Sequence, residues 1–377
     1  MMMRRIRRIS LRDFRSYASF DLGLDGRSVA ISGLNGSGKT NLLEALSMIG
    51  PGRGMRRATM ADLARQGGGG GWGIGLSLSA DDEIEPVTLS AEANPPLPLR
   101  RQTRIDGEPV PSAAAFQDYV RFLWATPAQD RLFLDSPGDR RRFLDRMTLT
   151  QNPAHAQNWT AYETAMRQRQ AAMAEGRADP RLLSVLEQQM ATHGVAVAAS
   201  RRDTVRHLSS GYEALRSGAF PAASLALSGV LEEALEEGAG AEIESRYLGQ
   251  LSGLRRRDAE VGRATLGPHR TDLLVTHVAK DQPARLCSTG EQKALLIGLI
   301  LAHAAAMQAQ DQAPLVLLLD EIAAHLDEER RAALAEILTT LGCQTFMTGT
   351  DAALFEAWQG EAMRVQIQEG RAVPLDG

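Results

Sequence analysis

Gly33-Leu34-Asn35-Gly36-Ser37-Gly38-Lys39-Thr40, followed by Asn41, fits the pattern G-x-x-x-x-G-K-[ST] and stands between a short apolar run, Val29 to Ile31, and a helix-like stretch, Asn41 to Met48. Strand, glycine-rich turn and helix in that order are the context in which the pattern binds the phosphates of a nucleotide. The glycines let the backbone turn so tightly that successive N–H groups point inward at an anion, and the helix start adds the positive end of its dipole. Lys39 supplies a full charge, and Thr40 is placed to hold Mg2+. Lys39, Lys280 and Lys293 are the only lysines of the chain, so a chance match to a motif that demands one is rare.

A second element lies far downstream. Pro314-Leu315-Val316-Leu317-Leu318-Leu319 is the unbroken apolar run of a buried parallel strand, and it ends in Asp320-Glu321. A strand tip carrying two carboxylates suits metal-assisted hydrolysis: Asp320 to hold the metal and Glu321 to act as general base or to orient the attacking water. Between the two elements, Cys287-Ser288-Thr289-Gly290-Glu291-Gln292 opens a strong helix, Gly290 to Met307. Alone, such a start is an N-cap, but its hydroxyls and N–H groups repeat the anion-binding physics of the phosphate loop.

The 377 residues, 44% apolar, suffice for roughly two or three domains with a full core. Arg4, Arg5, Arg7 and Arg8 precede a stretch studded with charge rather than a secretory apolar segment, and no apolar run reaches 18 residues. Cys287 and Cys343 lie far apart without ligand spacing, which argues against a zinc site or a disulfide framework. No membrane partner is expected and the cytoplasm is the default location. The net charge of −4 conceals clusters at Arg140-Arg141-Arg142, Arg201-Arg202 and Arg255-Arg256-Arg257, each a candidate for nucleic-acid contact or simply a solvated face.

Ile6, Ile9, Leu11 and Phe14, then Phe20, Leu22 and Leu24, predict two short strands ahead of Val29 to Ile31. Strict alternation at Trp72, Ile74, Leu76 and Leu78, continued by Val87 and Leu89 and by a turn at Asp106-Gly107, predicts an antiparallel sheet over residues 72–110. From about Ala128 to Arg257 the pattern is helical, broken at Gly176 to Pro180 and Gly218 to Pro221. Leu273 to Val275 and Gln344 to Thr348 read as strands, and Arg364 to Ala372 as a hairpin turning at Glu369-Gly370.

The order of these motifs resembles that of the ABC-type ATPases, in which two heads sandwich two ATP molecules and the signature segment of one head caps the γ-phosphate on the other. Ser288, Thr289 and Gly290 match the signature core, with Cys287 where leucine is commoner and Glu291 where glutamine is commoner. Ala324-His325-Leu326-Asp327 matches the D-loop, which implies that Asp327 sits at a dimer seam. Transporters of this family carry a switch histidine after the next strand; here the sequence is Thr348-Gly349-Thr350, leaving Thr348 or Thr350 as a partial substitute. Further segments narrow the resemblance to the RecF family of SMC-like repair ATPases: Leu11-Arg12-Asp13-Phe14-Arg15-Ser16-Tyr17, Asn35 to Ala45, Arg140-Arg141-Arg142-Phe143-Leu144-Asp145, and Leu266-Gly267-Pro268-His269-Arg270-Thr271-Asp272-Leu273. The match runs along essentially the whole chain and is weakest between about residues 150 and 255.

The resemblance implies an α/β, two-lobed ABC-type head: an ATP-binding lobe from residues 1–126 and 308–377, with a mainly helical lobe, residues 127–307, that carries the signature. It implies ATP with Mg2+ as cofactors, Arg15 near the phosphates, Gln129 as a Mg2+ or water ligand, and Ser288 acting in trans. The implied activity is a weak ATPase that binds single- and double-stranded DNA at gap junctions, dimerises with ATP, and helps load RecA together with RecR and RecO. Two rivals share parts of the pattern. An ABC transporter subunit would need a membrane partner and usually the histidine; a nucleotide-gated scaffold would have little use for Glu321. His269 and Cys287 read as structural residues, because no nucleophile spacing accompanies them, and His325 as a seam contact or a solvent-exposed side chain.

Overall fold

The structure is a computed structural model that describes residues 4–81, 83, 85–174, 179–215, 218–309, 313–323 and 326–375. Two compact units emerge: the first comprises the chain up to Asp130, Ala214–Phe220 and the chain from Leu296 on; the second comprises Arg131–Glu213 and Pro221–Leu295.

In the first unit, alternation becomes an antiparallel sheet. Strands β1 (Arg5–Phe14) and β2 (Tyr17–Gly23) form a hairpin, and β3 (Ser28–Ser32) leads into helix α1 (Lys39–Ile49). Strands β4 (Trp72–Ser79), β5 (Val87–Ala93), β6 (Gln102–Ile105) and β7 (Glu108–Val110) extend the hairpin in the order β2-β1-β4-β5-β6-β7. Trp72, Ile74, Leu76 and Leu78 are buried while the residues between them are partly open, which is the period-two pattern of a sheet with one packed face. The predicted 72–110 sheet therefore forms, joined to the N-terminal hairpin through β1–β4 pairing.

The second sheet of this unit is parallel at its centre. It adds β8 (Arg121–Ala125), β12 (Leu315–Leu319), β13 (Thr345–Thr348), β14 (Ala362–Gln368) and β15 (Arg371–Pro374), in the order β15-β14-β3-β13-β12-β8. All but β15 run parallel, and β12 is buried at every residue, as its unbroken Leu/Val composition requires. The hairpin at Glu369-Gly370 forms with positive φ at both residues. Helix α1 touches β4 and β5 of one sheet and β8 and β13 of the other, and buries Leu42, Leu43, Leu46, Met48 and Ile49. One apolar core thus spans sheet, helix and sheet.

The second unit is built on α2 (Pro137–Gln151), α3 (Ala154–Ala174), α4 (Pro180–Leu215), α5 (Val230–Glu237), α6 (Gly240–Gly253) and α7 (Arg255–Val261). The helical expectation over 128–257 needs one correction: Ala223–Ser228 is a strand, β9, paired antiparallel with β10 (Asp272–His277), which in turn meets β11 (Gln282–Pro283). Alanine and leucine favour helix in isolation, but Leu225 opposite Val275 and Leu227 opposite Leu273 gain cross-strand packing instead. Helix α8 (Thr289–Gln308) begins in this unit and ends in the first; α9 (Glu328–Leu341) lies in the first.

Most of the arginine clusters brace this unit internally. Arg140 forks onto Asp272 (2.8 and 2.7 Å), Arg141 donates to the Thr271 carbonyl (2.7 Å), and Arg255 grips Glu187. The segments 140–145 and 266–273, both singled out by resemblance, are therefore bonded to each other. His269 is structural as expected: its Nε2 donates to the Ala264 carbonyl (3.1 Å), which leaves Nδ1 to accept the Tyr162 hydroxyl (2.6 Å). Burial lowers its pKa, countered in part by the Ala264 carbonyl, and the ring stays neutral.

Gly267 sits at φ 136 directly against the Tyr162 and Tyr247 hydroxyls, where a Cβ would collide with both. Gly267→Ala is expected to destabilise the protein by about 2 to 3 kcal/mol through backbone strain and overpacking. Denaturant unfolding followed by circular dichroism checks this.

Candidate nucleotide site

Strands β3, β13 and β12 are neighbours, and their C-terminal ends deliver Gly33, Thr348 and Asp320 to one edge of the parallel sheet, the place where open α/β sheets bind ligands. From Gly33 the chain turns through exposed Leu34, Asn35 and Gly36 to Ser37 and Gly38, and Lys39 begins α1. Gly38 has φ 110 and packs under Tyr17, whose hydroxyl donates to the Gly38 carbonyl at 3.0 Å; a Cβ here would lie 2.8 Å from that hydroxyl. The glycine is thus required twice, for its dihedral and for the tyrosine that props the loop.

The Lys39 ammonium is folded into its own loop, donating to the carbonyls of Gly33 (2.7 Å) and Leu34 (3.0 Å). An ammonium has three hydrogens, so one donor is left for a phosphate oxygen. Burial pushes its pKa down, while the Glu321 and Asp320 carboxylates pull it back up.

Thr40 donates its hydroxyl to Asp320 Oδ1 at 3.0 Å, joining two motifs 280 residues apart. Thr348 donates to the same oxygen at 2.8 Å. Burial raises the Asp320 pKa, opposed by the Thr348 and Thr40 hydroxyls and reinforced by Glu321. A buried carboxylate held by two hydroxyls and still under-neutralised suits a cation. No cluster of three His, Cys, Asp or Glu side chains of the kind that cages a metal exists among the described residues.

Glu321 follows with φ 55, a left-handed conformation that costs a non-glycine residue about 1 to 2 kcal/mol. Its main-chain N–H is bonded to Thr348 Oγ1 at 3.0 Å. Gln129 lies in a 3-10 turn over Pro127–Arg131, where its side-chain oxygen accepts the Thr126 N–H at 2.9 Å. It makes no hydrogen bond to Thr40 or Asp320 among the described residues.

Arg15, in the β1–β2 turn, forks onto the buried Glu44 of α1 at 2.9 and 2.8 Å and donates to the Asp62 carbonyl at 2.6 Å. Sequence reasoning missed both this partner and Arg56, whose Nη1 reaches Asn41 Oδ1 (2.9 Å) and Glu44 Oε2 (3.3 Å). Asn41 in turn donates to Ser16 Oγ at 2.9 Å. Arg56 is also close enough for its charge to lower the Asp320 pKa. The signal available was the glycine-spaced arginine run Gly52-Arg53-Gly54-Met55-Arg56-Arg57 directly after α1.

The signature segment lies in the second unit, with Ser288, Thr289 and Gly290 all exposed. Ser288 and Glu291 form a reciprocal capping box: Glu291 Oε2 accepts the Ser288 N–H at 2.9 Å and Ser288 Oγ accepts the Glu291 N–H at 3.4 Å. Glutamate at this position is thus explained locally. Lys280 bonds its other oxygen, and Lys280 followed by Ser288 lowers its pKa to about 2. Cys287 is buried, which raises its thiol pKa and makes it a packing residue. Asp327 is the N-cap of α9, accepting the Arg330 N–H at 2.8 Å. Ala324 and His325 lie outside the described residues.

A family model for the AAA domain matches residues 8–54, the hairpin and phosphate loop just described. The DNA replication and repair protein RecF of Mesorhizobium japonicum is 45% identical, covering 98% of this chain and 98% of its own length. That of Allorhizobium ampelinum is 47% identical, with 97% of each covered. Among solved structures, the recombination mediator protein RecF with ATP in the RecFOR pathway superimposes with a TM-score of 0.83 over 99% of this chain and 98% of its own, at 20% identity. The Smc head domain of Pyrococcus furiosus bound to the C-terminal domain of ScpA gives 0.54 at 16% identity, over 99% and 96% of the two chains. The α/β architecture is therefore that of the ABC-type heads, and with relatives this close along nearly its whole length the chain belongs to the RecF family.

Proposed function

We propose that this protein is an ATP-dependent DNA-binding protein of recombinational gap repair that assists RecA loading on single-stranded DNA next to duplex, acting with RecR and RecO in the cytoplasm. The observation that carries the reading is the bond between Thr40 and Asp320, which brings the phosphate loop and the acidic strand end into one site. The names of the close relatives support the repair context.

In this reading the N–H groups of Gly33, Leu34, Asn35, Gly36, Ser37, Gly38, Lys39 and Thr40 cradle the phosphates of ATP, with Asn41 and Arg15 beside them and Lys39 adding its charge. Thr40 and Asp320, with Gln129 through water, would hold Mg2+, which would supply charge neutralisation on the phosphates. Glu321 accepts the proton of the attacking water. Ser288, Thr289 and Gly290 meet the ATP of a second copy, because each copy's own phosphates are already cradled by Gly33 to Thr40, and Asp327 lies at the seam. ATP closes the dimer; slow hydrolysis opens it and releases DNA. On α7 the exposed Arg256 and Arg257 remain candidates for phosphate contact, whereas Arg255 is committed to Glu187.

The test is ATPase rate with and without duplex DNA, together with mass in solution under ATP and Mg2+. Wild type is expected to dimerise and Ser288→Arg to stay monomeric while still binding ATP. A mixture of Ser288→Arg with Lys39→Met contains one composite site with both defects and one with neither, so it should recover part of the dimer. Normal dimerisation of Ser288→Arg alone would overturn the trans arrangement.

A further inference from the structure

Strand β13 lies between the phosphate-loop strand and the acidic strand, and Thr348 is its last residue, paired with Ile31 of β3. The Thr348 hydroxyl is fully buried; it donates to Asp320 Oδ1 (2.8 Å) and accepts the Glu321 main-chain N–H (3.0 Å). One hydrogen and two lone pairs allow both bonds at once, each in its proper sense. Since Thr40 donates to the same Asp320 oxygen, hydrogen bonds run without a break from the phosphate loop to the backbone of Glu321. No hydrogen bond to the Glu321 carboxylate itself is present among the described residues, so its aim is set by a left-handed backbone whose N–H is held by Thr348.

The neighbouring positions have no such reach. A Cβ on Gly349 would stand 2.9 Å from the Phe355 ring, so a histidine does not fit there without moving that ring, and Thr350 is exposed. We propose that Thr348 is a positioning residue for ATP hydrolysis, its hydroxyl tying the orientation of Glu321 to the state of Asp320. The proposal rests on the reading of Asp320 as metal-holding and Glu321 as water-activating. It assigns to one buried hydroxyl the coupling between the metal-holding carboxylate and the base: whatever draws on Asp320 Oδ1 draws on the Thr348 hydroxyl bonded to it, and that hydroxyl's oxygen fixes the Glu321 N–H.

Two readouts test it on the full chain: hydrogen exchange of the Glu321 amide in nucleotide-free protein, resolved by fragmentation, and steady-state ATP hydrolysis. Thr348→Val keeps the shape and removes the hydroxyl. Its Glu321 amide is expected to exchange about tenfold faster or more, with kcat down on the order of 10- to 100-fold and KM for ATP within about threefold. Thr348→Ser should restore both. If valine does not fold, Thr348→Ala removes the hydroxyl without placing a methyl beside Asp320, and the same outcomes apply. Unchanged exchange or unchanged kcat in the hydroxyl-free variant, or a serine variant that fails to restore them, overturns the proposal. A wild-type rate insensitive to Glu321→Gln instead overturns the reading of Glu321 as the base, an outcome the exchange measurement keeps distinct from loss of the tether.

Discussion

Glu321→Gln is expected to lower kcat by about two to four orders of magnitude while ATP still binds and the closed dimer accumulates. The amide keeps the size and the main-chain bond to Thr348 but cannot take the proton of the attacking water. Binding should survive because the phosphate loop, Lys39, Thr40 and Asp320 are unaltered and held together by their own bonds. Single-turnover hydrolysis, nucleotide affinity and mass in solution give the three readings. A normal rate would mean that another group activates the water.

The largest structural effect is expected from Arg201→Met. Arg201 is wholly inaccessible, forked onto Asp145 at 2.8 and 3.0 Å, bonded to the Pro268 carbonyl at 2.6 Å and close to Glu232 at 3.4 Å. One Glu232 oxygen already has no partner among the described residues. Methionine fills similar space yet leaves buried Glu232 and half-buried Asp145 without their guanidinium, which costs about 3 to 5 kcal/mol. For a chain of this size the melting temperature should fall by roughly 5 °C. Burial alone would push the Asp145 carboxyl up, but Arg201 and His155 overcome it and hold its pKa well below the usual range. Its contribution is therefore present above the unfolded value of about 4 and is lost as pH falls through the folded one. The variant should lack this acid-labile component. Asp145→Asn added to Arg201→Met should recover part of the loss; a melting temperature within about 2 °C of wild type would show that the cluster is hydrated rather than dry.

The parts legible in the sequence are those whose physics is local. A phosphate loop carries its glycines, lysine and threonine within eight residues, and an all-apolar strand ending in Asp320-Glu321 announces both its burial and its carboxylates. Alternation likewise exposed β4, and the helix from Thr289 to Gln308 followed from its apolar content. What stayed hidden depends on partners distant in the chain. Ala223–Ser228 is a strand only because Asp272–His277 lies beside it. The Glu44 partner of Arg15 lies 29 residues away in the chain, and Arg140, Arg141, Arg201 and Arg255 read as surface charge until their carboxylates and carbonyls are in place. Charge patterning shows which residues are ionised but not which ones find a buried partner. Even within a single turn, no pattern announces the bond from the Thr126 N–H to the Gln129 oxygen.

The position of β3 in its sheet also governs when the nucleotide site comes into being during synthesis. Its two neighbours are β13, from residue 345, and β14, from residue 362, more than 300 residues later in the chain. Until those segments leave the ribosome, the strand that launches the phosphate loop has bare edges on both sides. Closing so long a loop is slow and entropically costly. The nascent polypeptide therefore carries an unassembled ATP site until residues 345 to 366 have emerged, and a product cut short ahead of residue 345 holds Gly33 to Thr40 as sequence with neither sheet neighbour of β3 in place.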